Sequence, residues 1–111
     1  MKALGAEFPE REKKMNLIGK TVVVRSSQSG VWLGKLTAYD MATGTASLSD
    51  ARRAWSWKGA ASCSGLAVRG PHDGKIAEPV HEAVVRDCCE VLSATPEAIE
   101  RWIAISPWVI K

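Results

Sequence analysis

Residues suited to holding a flat or anionic ligand cluster in one stretch, Ala51 to Ala61, reading Ala-Arg-Arg-Ala-Trp-Ser-Trp-Lys-Gly-Ala-Ala. In an extended backbone successive side chains alternate between faces, so Arg53, Trp55 and Trp57 are expected side by side, with Arg52 on the opposite face. Indole faces attract planar π systems and a guanidinium forks onto phosphate oxygens. The trio therefore suits a stacked base beside a held phosphate. The same residues also fit a plainer arrangement, with both indoles buried against a helix and Arg53 solvating the rim. Trp32, alternating with Gly34 on an earlier strand, is expected to line the same surface as Trp55. Arg25, closing the first strand, offers a second phosphate contact or pairs with a nearby acid. The candidate ligand-binding set is Arg25, Trp32, Arg53, Trp55 and Trp57.

Other chemistries find less support. Cys63, Cys88, Cys89 and His81 contain no Cys-x-x-Cys pair and no paired-histidine spacing, so no metal site is expected. On a strand, Cys88 and Cys89 point to opposite faces and read as small hydrophobes. His72 and His81 have no triad partner by motif, and the spacing of Glu78, Glu82 and Asp87 does not distinguish an acid/base pair from solvated strand edges. Gly59, Gly65, Gly70 and Gly74 match neither phosphate-loop pattern. A binding protein without catalytic residues or cofactor is the expectation.

The chain has 111 residues, 46% hydrophobic and 24% charged, which suits one globular core. A net charge of +3 favours small anions over a long duplex, and no stable binding to duplex DNA is expected. Three cysteines, two of them adjacent, do not make a disulfide framework, and free thiols in a reducing compartment are expected. Met1 to Asn16 is charged without an apolar centre and reads as a flexible extension rather than a secretory signal; no run is long enough to span a membrane. The expected division is an extension over residues 1–16, a single domain over 17–111, and a cytoplasmic location.

The elements needed to position these side chains are legible as an α+β fold: an antiparallel meander of about five strands, a short small-residue helix and a C-terminal helix. Thr21-Val22-Val23-Val24-Arg25 reads as a strand covered on both faces. Val31 to Tyr39 follows, with Gly34 marking a bulge or close backbone approach. Thr45 to Ser49 is a third strand that the Arg/Trp stretch extends or follows. Ala60 to Val68 fits a short helix, Gly70 to Gly74 a loop, and Val80 to Leu92 one further strand. Thr95-Pro96-Glu97 opens a helix, on which Ile99, Trp102 and Ile103 share a face, with Trp102 in the core. Pro107 ends that segment, and Trp108-Val109-Ile110 is expected to dock on the sheet.

The run Leu48 to Gly70, with its Arg-Arg-x-Trp-x-Trp-x-Gly-Ala core, resembles a family of small phage-encoded proteins largely without assigned function. Ile18 to Arg25, Gly30 to Leu36 and Val80 to Thr95 carry the likeness further, over residues 15–111. In size, strand order and Arg/Trp surface the chain is also similar to phage anti-defence sponges of the Thoeris anti-defence type, which sequester cyclic nucleotide signals between protomers. That resemblance implies a homo-oligomer that holds a small cyclic or ADP-ribose-type nucleotide, with Arg25, Arg53, Trp55 and Trp57 in contact with it. Two other functions use the same residues: stacking of single-stranded nucleic acid, and a Trp-rich interface with another protein.

Overall fold

Three consecutive valines, Val22, Val23 and Val24, are each fully buried, which requires the strand that carries them to have a core on either side. The computed structural model describes residues 16–109, and elements from both ends of that range supply those cores. They are β1 (Thr21–Ser26), β2 (Gly30–Asp40), β3 (Thr45–Lys58), α1 (Cys63–Val68), β4 (Asp73–Ile76), β5 (Val80–Val85), β6 (Cys88–Ser93) and α2 (Pro96–Ala104). Except for Asn16, the expected N-terminal extension lies outside the described residues.

The strands among the described residues all pair antiparallel, in the order β4-β3-β2-β1-β6, with β5 also paired to β3. The expected meander is present as β1-β2-β3, but among the described residues the sheet has six strands rather than about five. Val80 to Leu92 is not one strand. It breaks at Arg86–Asp87, where Asp87 takes a φ of +57°, and its halves pair with different partners: β5 with β3, β6 with β1. That is why neither face of the run is apolar throughout. Because only two residues join opposite edges of the sheet, the sheet must curl until those edges approach. Ser26 Oγ donates to the Arg86 carbonyl at 2.6 Å, and the amide of Cys88 donates to the Gly44 carbonyl at 3.0 Å, fixing the crossing.

The curl encloses one core, built on Val22, Val24, Leu36, Ala46, Leu48, Ala51 and Val85. On the other side of the sheet, Val23, Val31, Leu33, Ala54 and Ile76 pack with Leu66 and Ala67 of α1 and Trp102 of α2. Thr95 caps α2 by accepting from the Ala98 amide at 3.0 Å, and donates at 2.7 Å to the Val68 carbonyl, so one hydroxyl ties the two helices together. Trp102 is fully buried, its indole donating to the Leu66 carbonyl at 3.1 Å. Ile103, expected on the same face, is 65% exposed beside an open cleft.

β3 determines where the chemistry goes. Its register against β2 moves from Lys35–Ser49 to Leu33–Arg52, so an extra residue is accommodated around Asp50, whose φ is +50°. Gly34 lies across from this bulge. A Cβ there would stand 3.0 Å from that of Leu48 and 3.3 Å from the Ala51 backbone, which is the close approach expected of it. A second irregularity follows: Ala54 pairs with Ile76 and Ser56 with Lys75, two steps on β3 against one on β4. The extra residue is Trp55.

Candidate ligand-binding site

A bulge at Trp55 shifts the alternation of every side chain after it, and the expected row of Arg53, Trp55 and Trp57 does not form. Trp57 is half-buried, packed against the helix-side core, and its indole donates to the Ala60 carbonyl at 3.1 Å. Arg53 and Trp55 stay together. The guanidinium carbon of Arg53 sits 4.0 Å from the centroid of the Trp55 ring, within the range of a cation–π contact. Trp32 is the cross-strand partner of Arg53, and its indole donates to the Ser29 carbonyl at 3.1 Å.

The structure adds two members to this group. Trp108 packs edge-on against Trp55 with ring centroids 6.2 Å apart, and its amide donates to the Ile76 carbonyl at 2.9 Å. The expected docking of the C-terminal segment is therefore seen at Trp108. Lys75 places its amine 5.2 Å over the Trp108 ring. Trp55 is 54% exposed and Trp108 41%. The result is a platform of two accessible indoles with a cation at either end, continuing the inner face of the curled sheet past the pairing of β3 with β5. Among the described residues the one ion pair is Arg101 with Glu97, so neither Arg53 nor Lys75 is neutralised by a carboxylate there. Arg53 Nε is buried with no hydrogen-bond partner.

Arg25 and Trp57 come together elsewhere. With Val31, Ser62, Cys63, Ser64 and Glu90 they line a shallow cleft of about 430 Å³ at the start of α1. Burial pushes the Cys63 thiol up from its ordinary value, Glu90 adds to that, and Arg25 opposes it. Cys88 is raised as well, mainly by burial, and packs against the enclosed core, while Cys89 is exposed.

Arg52 is the functional position that alternation alone did not bring out. It is 5% exposed and donates from Nε to Ala77 O at 2.8 Å, from one terminal nitrogen to Trp102 O at 2.6 Å, and from the other to Ile76 O at 3.4 Å. It thus clamps the end of β4 to the last turn of α2, and burial pulls its pKa down from the usual arginine range.

Residues 19–102 match a family described as a domain of unknown function, DUF6948. The chain belongs to the DUF6948 family. No curated protein and no solved structure matches it. The matched residues of the DUF6948 domain include β1 through most of α2, and so Arg53 and Trp55, whereas Trp108 lies beyond them. No helix among the described residues is long and apolar enough to cross a membrane.

Proposed function

We propose that this DUF6948 domain is a non-enzymatic binding protein that captures a small nucleotide of the cyclic or ADP-ribose type. As a phage protein in a host cytoplasm, it acts by withholding such a signal from a bacterial immune receptor. The observation that carries this reading is the unneutralised Arg53 guanidinium stacked at 4.0 Å on an exposed Trp55. A base stacks on Trp55 against the edge of Trp108, and phosphate oxygens take the N–H groups of Arg53 and the amine of Lys75.

Magnitudes require a second subunit. Nanomolar affinity is worth about 12 kcal/mol, and one stacked base supplies about 1 to 3. An open platform falls short, so a second copy of the chain must close over the ligand, excluding water and strengthening each charged hydrogen bond. Calorimetry against cyclic dinucleotides and cyclic ADP-ribose isomers, with light scattering for the oligomeric state, tests the reading. Saturable heat from one of them, lost in Arg53→Ala, supports it, and no heat at about tens of micromolar ligand retires it.

The openness of the platform favours a second reading, single-stranded nucleic acid running across the indoles. Its mark is affinity that rises with oligonucleotide length and falls steeply with salt. A mononucleotide-sized ligand binds independently of length.

A further inference from the structure

One concavity of the molecule lies away from the platform. It is a cleft of about 500 Å³ between the helix-side face of the sheet and α2. Its walls are apolar, from Leu33, Ile99, Ile103, Ile105 and Pro107, and Arg52 lines it together with Lys35 and the exposed Asp50. Arg52 is 5% exposed and no carboxylate lies within ion-pairing distance among the described residues, so a full positive charge sits in low dielectric unneutralised. Each of its three nitrogens donates once to a carbonyl oxygen, and a guanidinium carries five N–H donors, so each terminal nitrogen keeps a second.

From this arrangement we propose that the cleft is a binding site for an apolar monocarboxylate, a ligand with an aliphatic body and one anionic head. The body lies between Ile99, Ile103 and Ile105, removing their surface from water. The head takes the unspent N–H donors of Arg52, with Lys35 at the rim adding attraction. Burial makes that contact strong, because a carboxylate would neutralise a charge that the fold has already removed from water. The exposed Asp50 opposes it, and disfavours a dianion more than a monoanion. Volume agrees, since clefts of some 300 to 1,000 Å³ are the usual size for small-molecule sites. The site shares no residue with the Trp55 platform, so either can fail without the other.

The test is calorimetry of the full chain with decanoate, kept below its micelle concentration, beside decanol and decylamine. Decanoate should bind one to one and at least about tenfold more tightly than either, the margin expected of one buried charged hydrogen bond. Ile103→Glu changes an exposed side chain and so keeps the fold. It should weaken decanoate by about tenfold or more by placing a like charge at the mouth, leaving nucleotide titrations at the platform unchanged. The proposal is overturned if decanoate gives no saturable heat, if decanol binds as well as decanoate, or if Ile103→Glu binds decanoate like the unaltered chain.

Discussion

Arg52 and Trp57 belong to the same short run as Arg53 and Trp55, yet the two pairs live in opposite surroundings. Arg52 donates to three backbone carbonyls, and Trp57 is pinned to Ala60 O and packed on the helix-side core. Arg53 and Trp55 instead stack on each other in the open, with a buried Nε left unpaired. The difference teaches that residue type does not determine role here. Ordinary alternation puts Arg52 and Arg53 on opposite faces, and one extra residue in β3 then puts Trp57 out of phase with Trp55.

The contrast should be sharpest at Arg52. Replacing it with alanine strands three carbonyls at the junction of β4 and α2, and urea denaturation should show a loss of about 3 kcal/mol or more. Trp57→Ala removes a large side chain from between β3 and α1, and the expected loss is about 2 to 3 kcal/mol, with little effect on nucleotide affinity. If Trp57→Ala abolished binding and left stability intact, the division between the two faces would be wrong.

Trp55→Ala should do the reverse. Stability changes within about 0.5 kcal/mol, while ligand affinity falls about tenfold or more. Trp108→Ala should cost affinity less, about 1 kcal/mol, because it meets Trp55 only edge-on.

The thiols offer the smallest effect, and a pH dependence. Burial raises Cys63 and Cys88 above their ordinary value, so the folded chain holds these protons more tightly than the unfolded one. Their contribution to stability is present in full below the unfolded thiol pKa, and is lost as pH rises through the raised folded values. Iodoacetamide at neutral pH should accordingly modify exposed Cys89 before Cys63 and Cys88, with the order read by mass spectrometry.

Much of the fold was legible because its signals are local. Val22 to Val24 announced a strand with two covered faces, Gly34 a close approach, and Thr95-Pro96 a helix start; each is decided by steric or hydrogen-bonding preferences of a few adjacent residues. The break at Arg86–Asp87 was not legible, since it exists only because the sheet curls and offers β1 as a new partner. At the candidate site, Arg53 with Trp55 was readable from alternation, whereas the pairing of Trp32 with Arg53 depends on the β2–β3 register. Trp57 escaped it through the bulge, and Trp108 and Lys75 reach the platform from other elements.

By itself the sequence determined that this chain pairs an indole with a guanidinium on a strand, because period-two alternation holds wherever the backbone stays extended. Only the tertiary structure decided which indole and which arginine face outward. A bulge is not written in any one residue: it arises where two strands of unequal path must keep their hydrogen bonds, and moving one residue out of register turns a surface side chain into a core one.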